Sequence, residues 1–531
     1  LTSLKNPAWQ VRGGSAAAGT FHAIAAGLCI LTALSFFLLP LPTLQWFTDY
    51  WEHASAVRVL SENVLAPSNP HYATYDADRQ FIPLFVLLGG LMQLTGMGVT
   101  AALALGAVVT TALFVVGVKM FADSYFQHRW APVILIAVLL CCWGTPWVWT
   151  GFYEFRAMFY NSFYPAAFVF SLTFITWALV IRALQSDTVA LSICCLLPLL
   201  SALMFVSHQL GGLFALGGAF LFLLFEPKST SKTRLLLFTL LAFGVAITWW
   251  WPYFNPIELT YRGAGDKENG GVADFYNTVQ VVLLLGPAWL GIPLLFELFR
   301  KRIHLALVAG FLGVFGAYCI GGALGHPVAH RFLSYAVLYL HLPITWKLLS
   351  LIPEREAKFS VAELKRDRPR FVVLALCAAL VMLHLAFGAL DFARVGYERT
   401  SGKSFGSYPN QDVIGNLIAV ANKLPGDAIM FASPHPALAI TAFKGKVVVR
   451  PRPQLMIADG VARSKDNAQF FSSATSQAER RELARKYGVR YILIKKEDLP
   501  MNVTEDLKAL GEVVPNPGQL VLIKIDISKL P

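Results

Sequence analysis

Eleven stretches of about 20 apolar residues dominate this chain, and each is long enough to cross a bilayer as a helix. They fall at roughly 19–41, 98–118, 131–149, 163–184, 188–206, 210–225, 235–252, 278–299, 304–324, 332–350 and 371–391. Inside hydrocarbon every backbone N–H and C=O must be bonded internally, so such segments fold as helices. The expectation is a polytopic α-helical membrane protein of about eleven spans. Composition agrees: 56% of residues are hydrophobic and 14% are charged, against about 25% charged in soluble domains. The first stretch is too long for a signal-peptide core and lacks a clear cleavage site, so it reads as a retained span.

Loop charge sets the orientation. With the N-terminus inside, the inner connections carry Lys5, Arg12, Lys119, Arg129, Lys228, Lys232, Arg234 and Arg300 to Arg302, then the cluster Arg355 to Arg370. The outer connections carry only Arg58, Arg79, Arg156, Arg262, Lys267 and Arg331. This is a positive-inside bias, so the net charge of +12 marks topology and not nucleic-acid affinity. Residues 81–95 are also apolar but short and contain Gly89 and Gly90, so they read as a juxtamembrane or re-entrant helix. Counting them as a twelfth span would invert the downstream loops and move most of the basic clusters outside.

The seven cysteines all lie in apolar segments, so neither a disulfide framework nor a cysteine zinc site is expected. Two regions follow: a membrane module over 1–391, with its first outer loop at 42–97, and an outer-face α/β domain over 392–531. In the latter, helices are expected at Asp412 to Leu424 and Gln477 to Tyr487. Strands are expected at Ala428 to Phe431, Lys446 to Val449, Val489 to Ile494 and Gln519 to Ile525. No phosphate-loop, dinucleotide or nucleophile-elbow pattern occurs there, and Asn502-Val503-Thr504 matches a glycosylation sequon.

Ionisable residues gather at the outer rim. Asp49, Glu52 and His53 follow the first span, and groups of this kind beside a membrane segment are candidates for function. On a helix over 46–62 they share one face by the i, i+3, i+4 rule, with Arg58 opposite. The functional readings are a carboxylate serving as general base toward an acceptor hydroxyl or amine, or one holding a metal with His53 and an aspartate; level with catalysis stands an amphipathic helix lying in the headgroup region with its charges outward. Asp76 and Asp78 have the spacing of a hard-cation site; the favoured alternative is that Asp78 caps the 81–95 helix. Arg331 opens the tenth span, where a helix N-terminus and a guanidinium both suit a phosphate, or where the side chain snorkels. His326 and His330 lie four apart and could pair on a metal, which Pro327 disfavours. His208 reads as a capping histidine ahead of a catalytic one, and Trp249-Trp250-Trp251 as an interfacial belt ahead of a cavity rim.

The pattern resembles the GT-C superfamily of membrane glycosyltransferases, which includes protein O-mannosyltransferases, the lipid A aminoarabinose transferase and oligosaccharyltransferases. The likeness rests on an early loop aspartate in Thr48-Asp49-Tyr50-Trp51-Glu52-His53, with Asp49 and His53 fitting Asp-x-x-x-His. It rests also on the proline-led Ile82-Pro83-Leu84-Phe85, the Gly96-Met97-Gly98 break, and a soluble domain after the last span. The adjacent Asp-Glu of the O-mannosyltransferases and the Trp-Trp-Asp motif of the oligosaccharyltransferases are missing, which speaks against peptide N-glycosylation.

The resemblance implies a glycosyltransferase of a bacterial cytoplasmic membrane. Its donor would be a polyprenyl-phosphate sugar and its acceptor an envelope glycan, lipid or protein, with no nucleic acid involved. Asp49, with Glu52 and His53, would take the catalytic role. Arg331, His330, Arg156, His208 and Arg58 would be the donor-phosphate and sugar candidates. No cofactor is required, although Asp76 and Asp78 leave room for a divalent cation. The competing readings are an oligosaccharide ligase with a lipid diphosphate donor and a non-enzymatic lipid-sugar transporter. The spans are almost free of charge, which disfavours the transporter.

Overall fold

The structure, a computed structural model, describes residues 15–38, 49–144, 153–226, 229–262, 276–326, 328–352, 368–401, 413–451, 456–516 and 518–525. The chain divides into two compact units. Unit 1 comprises Leu1–Ser35, Ala107–Trp251 and Asn255–Ala393; unit 2 comprises Phe36–Gly106, Pro252–Phe254 and Arg394–Pro531. Unit 2 thus holds the loop after the first span as well as the C-terminal region.

Apolar sequence became helix as the hydrocarbon argument requires. Among the described residues eight helices are long and apolar enough to cross a membrane. They occupy Ala16–Leu38, Val99–Tyr125, Pro165–Leu184, Ser231–Trp250, Thr278–Lys301, Leu305–Ala323, Ala329–Ser350 and Arg368–Tyr397. The remaining three expected spans coincide with shorter apolar helices at Ala131–Cys141, Leu191–Ser207 and Gln209–Phe225. The protein is polytopic and α-helical, with a small C-terminal sheet.

In chain order the helices used below are α1 (Ser15–Ala33), α2 (Tyr50–Glu62), α3 (Pro83–Thr95), α4 (Val99–Tyr125), α5 (Ala131–Cys141), α6 (Phe155–Asn161), α7 (Pro165–Leu184), α8 (Leu191–Ser207), α9 (Gln209–Phe225) and α10 (Ser231–Ile247). There follow α11 (Pro256–Arg262), α12 (Thr278–Leu285), α13 (Gly291–Lys301), α14 (Leu305–Ala323), α15 (Phe332–Ser350) and α16 (Arg368–Ser401).

Several buried hydroxyls on the helices of unit 1 are satisfied locally. Ser171, Thr173, Thr176 and Thr345 each bond the carbonyl four residues back, a way of burying a hydroxyl without water. Trp177, fully buried on α7, donates from Nε1 to the Ala215 carbonyl at 2.7 Å. Its ring lies 5.8 Å from Phe121 and 5.4 Å from Phe222, knitting α4, α7 and α9 together. At the end of α10, Trp249 and Trp250 stay exposed, the disposition of a belt residue.

Unit 2 pairs α2 with α3. Gly89 makes that approach possible, because a Cβ there would sit 2.5 Å from the Leu60 Cβ. The helix α3 opens with Pro83 at its first position after Ile82 as N-cap, and closes on Gly96 at φ +71°. Asp78 therefore does not cap it, contrary to expectation. Proline sets the start, and the Asp78 carboxylate accepts instead from the Gln80 backbone at 2.8 Å.

The C-terminal α/β domain carries α17 (Val413–Ala421), β1 (Ile429–Ala432), α18 (Pro434–Ala439), β2 (Lys446–Val447), α19 (Gly460–Phe470), α20 (Gln477–Lys486), β3 (Tyr491–Lys495), α21 (Met501–Lys508), β4 (Gly511–Val514) and β5 (Leu520–Ile525). The sheet order is β2-β1-β3-β5-β4. β2, β1 and β3 run parallel, while β5 is antiparallel to β3 and to β4. Phe431 stacks on Phe470 at 3.9 Å in a core with Ile492, Ile494, Leu507 and Ile523. α19, α21 and β4 were not legible in the sequence. Their apolar positions are few, and packing on the sheet decides them. The Asn502 sequon sits on α21, where Thr504 is buried and bonds the Pro500 carbonyl at 3.2 Å.

Candidate active site

The helix α2 starts at the rim residue Asp49, its N-cap, which makes no side-chain capping bond and is half-buried. Expectation allowed an interfacial helix with its charges outward. The structure shows the opposite: Glu52, His53 and Arg58 are 3%, 4% and 8% exposed. The reason lies in what surrounds the helix. Alanines and valines fill the faces between the charged positions, and every charged side chain meets a partner within unit 2.

Glu52 pairs with Arg450, with Oε1 3.1 Å from Nη1 and both side chains almost fully buried. Burial alone would push the Glu52 carboxyl up. Arg450 first, then Arg79, outweigh it and hold the group below its usual range, so it stays ionised. Gln80 bridges to the next residue. Its Nε2 points at Glu52 Oε2 at a long 3.5 Å, and its Oε1 accepts from His53 Nδ1 at 2.9 Å. Burial brings the His53 imidazole down to about 4, so it is neutral at pH 7 with its proton on Nδ1.

A second chain of bonds runs from the same arginine. Arg450 Nη1 donates to His71 Nε2 at 3.2 Å, because a guanidinium only donates. The His71 proton is thereby fixed on Nδ1, which donates to Thr441 Oγ1 at 2.9 Å. The Thr441 hydroxyl then donates to Ser55 Oγ at 2.8 Å, and Ser55 donates to the Trp51 carbonyl at 2.7 Å. Each donor and acceptor is assigned once, with one polarity throughout. Burial, with Arg450, Lys446 and Arg58 near by, holds His71 neutral well below the usual histidine range.

Arg58 ties α2 to the same segment. Its Nε donates to the Thr441 carbonyl at 2.7 Å and its Nη2 reaches the Gly445 carbonyl at 3.5 Å, while Nη1 pairs with Glu62. The guanidinium expected to meet a donor phosphate is thus an internal tie of unit 2. Lys446 anchors the loop through Ser68 Oγ at 3.0 Å and the Asn69 carbonyl, and Val447 N donates to the His71 carbonyl at 2.8 Å. Burial pushes the Lys446 ammonium down to about 7.

Of the possible cation ligands, Asp78 is buried and engaged by Gln80, while the Asp76 carbonyl accepts from Asn69 Nδ2 at 3.2 Å. Among the described residues no three His, Cys, Asp or Glu side chains gather as a metal site.

The other expected residues belong to unit 1. Glu154 caps α6, accepting from Ala157 N at 2.9 Å and Arg156 N at 3.1 Å, and burial brings its carboxyl up to about 7. Arg156 pairs with Asp391 on α16. His208 caps α9, its Nδ1 accepting from Gly211 N at 2.9 Å, as the capping alternative has it. His330 is buried in the turn Ala329–Arg331, and half-buried Arg331 is the N-cap of α15. His326 is exposed, its Nδ1 accepting from Val328 N at 3.4 Å, and Pro327 lies outside the described residues.

Sequence reasoning missed Arg450, Thr441 and Gln80 as partners of α2. The one signal Arg450 left is its place directly after the expected strand Lys446 to Val449.

No family model matches the sequence, and a search of curated proteins returns no match. Solved structures do match. The arabinofuranosyltransferase AftD from Mycobacteria aligns at 14% identity over 96% of this chain with a TM-score of 0.54, although the chain spans only 40% of its length. The archaeal oligosaccharyltransferase AglB from Archaeoglobus fulgidus, solved with an inhibitory peptide and a dolichol-phosphate, aligns at 12% identity with a TM-score of 0.50. That match covers 90% of this chain and 69% of AglB. ArnT from Cupriavidus metallidurans, in its apo state, aligns at 13% identity over 97% of this chain and 99% of its own, with a TM-score of 0.55. At these identities the likeness is one of fold.

Proposed function

We propose that this chain, whose fold is that of the GT-C membrane glycosyltransferases, moves a sugar from a polyprenyl-phosphate donor to an acceptor on the outer face of a cytoplasmic membrane. In this reading the acceptor O–H adds to the anomeric carbon and the bond from that carbon to the phosphate oxygen breaks. Polyprenyl phosphate leaves with the electron pair, and the proton passes to Asp49. The donor is already activated, so positioning, water exclusion and a base suffice.

The observation that carries the assignment to Asp49 is the contrast along α2. Glu52 and His53 are buried, paired and held in fixed protonation states, which suits support of the site and not proton uptake. Asp49, the N-cap of α2, is only half-buried. Glu52 and His53 then act as positioning residues through Arg450 and Gln80.

The test is transfer from a radiolabelled polyprenyl-phosphate sugar by the full-length chain in lipid. Asp49→Asn is expected to lower transfer by about 100-fold or more, the usual worth of a general base, with an unchanged thermal midpoint. Near-normal transfer by a folded Asp49→Asn protein overturns the assignment.

A further inference from the structure

One cavity of unit 1 plays no part in the network around α2. It measures about 60 Å³ and lies among α4, α5, α6, α7 and α15. Its wall reaches Ala166 and Ala167 in the first turn of α7 and Tyr335 in the first turn of α15. Those are the helix ends that loop charge places on the outer face. At roughly 10–15 Å³ for each water, the space admits about four waters, close to the bulk of one sugar ring.

Its polar wall is mainly hydroxyl. Thr110, Thr111, Ser162, Ser171 and Tyr335 line it. Three of these are engaged. Thr111 Oγ1 accepts from Thr32 Oγ1 at 3.2 Å and donates to Ser162 Oγ at 3.3 Å. Ser162 donates to the Met158 carbonyl at 2.6 Å, and Ser171 to the Ala167 carbonyl at 2.9 Å. Two are not engaged. Thr110 is 2% exposed, and its Oγ1 meets no hydrogen-bonding atom. Tyr335 is 8% exposed, and among the described residues no hydrogen bond reaches its hydroxyl. A buried hydroxyl without a partner is costly, and a buried Tyr O–H usually has one. Two such groups in the wall of one cavity point to an occupant that bonds to them.

Charge narrows what that occupant is. Among the described residues that line the cavity none is charged. Arg331, one turn before Tyr335, acts on that phenol electrostatically but is no part of the wall. An ionised group taken into this space would exchange water for hydroxyls alone, with no opposite charge to offset the loss. Hydroxyls bond neutral hydroxyls well, since each is donor and acceptor by rotation. A plain hydrocarbon chain would leave Thr110 and Tyr335 as they are, without partners. The rest of the wall is aromatic: Tyr153 stacks on Phe170 at 4.2 Å, and Phe170 on Phe114 at 6.1 Å. Such faces suit the C–H face of a sugar ring.

We propose that this cavity binds the uncharged sugar ring of a lipid-phosphate donor through Thr110 and Tyr335, and so selects neutral sugars over amino sugars and uronic acids. The inference rests on the sugar-transfer reading above.

The experiment titrates the full-length chain in nanodiscs with farnesyl-phosphate esters of glucose, glucosamine and glucuronic acid. Binding of the radiolabelled glucose ester is read directly, and the two charged esters compete with it. The glucose ester should bind about 10-fold or more tightly than either of them. Thr110→Val and Tyr335→Phe should each weaken it about 10-fold. Both should leave the thermal midpoint of the unliganded protein at or above wild type, because each removes a group that lacks a partner. Thr173→Val removes a hydroxyl that bonds the Val169 carbonyl away from the cavity, and should bind as wild type does. The proposal is overturned if the glucose ester does not bind, if the three esters bind alike, or if both cavity variants bind like wild type. A loss of binding that comes with a lower midpoint shows a structural role and also overturns it. Sugar transfer is measured separately: selective binding without transfer from any ester refutes the transfer reading and leaves the cavity's selectivity standing.

Discussion

At the scale of single residues, the molecule is most exposed to change where charge is buried. Removing one partner of a buried ion pair leaves the other uncompensated, a loss of about 3–5 kcal/mol. Arg450→Met is expected to destabilise unit 2 by that order, because Glu52 is buried beside it. Glu52→Gln/Arg450→Met should recover most of the loss, and a double-mutant cycle on thermal midpoints measures the coupling. Additive effects would mean that the pair contributes nothing as a pair.

Acid acts on the same cluster. His53 is brought down to about 4 and His71 well below its ordinary value, whereas unfolded histidine titrates near 6.5. Below 6.5 the unfolded chain binds more protons than the folded one, so stability is full above that pH and falls as pH drops toward the folded value. His53 alone accounts for roughly 3 kcal/mol by pH 4. The thermal midpoint should therefore fall between pH 7 and 5, with a shallower slope in His53→Gln. A midpoint flat across that range would contradict the buried neutral imidazoles.

At the scale of elements, the helix expected over Gln477 to Tyr487 formed as α20, and its start has a local cause. A capping box holds it: Ser476 Oγ accepts from Glu479 N at 3.3 Å, and the Glu479 carboxylate accepts from Ser476 N at 2.8 Å. Ser476→Ala should cost about 1 kcal/mol, read as earlier exchange of the α20 amides. The start of α3 was misjudged for an equally local reason, since Pro83 outranks an aspartate five residues upstream. The crossing of α2 and α3 was invisible, because only the packed pair shows that Gly89 faces Leu60. Gly89→Val should displace α3 and lower the thermal midpoint by several degrees, as overpacking typically costs 1–3 kcal/mol; an unchanged midpoint would mean that the helices part without cost.

At the scale of the whole molecule, unit 2 is built from segments almost 400 residues apart in sequence, as Ser55 and Thr441 show. Thr441→Val removes the hydroxyl that joins His71 to Ser55. Hydrogen exchange in α2 should quicken even though Thr441 lies in the C-terminal region; protection equal to wild type would show that α2 is held without that link.

The sequence by itself determined the helices and the membrane character, because hydrocarbon length and backbone satisfaction are local demands. It determined the outline of the α/β domain too, because turn residues and strand composition are read within a few residues. It singled out Asp49, Glu52 and His53, since ionisable groups beside an apolar span are costly and rarely idle. Only the tertiary structure decided how deeply each is buried and which partners hold Glu52 and His53. That outcome depends on Arg450, Gln80 and Thr441 arriving from elsewhere in the chain, and desolvation, ion pairing and proton placement act through space with no trace in local periodicity.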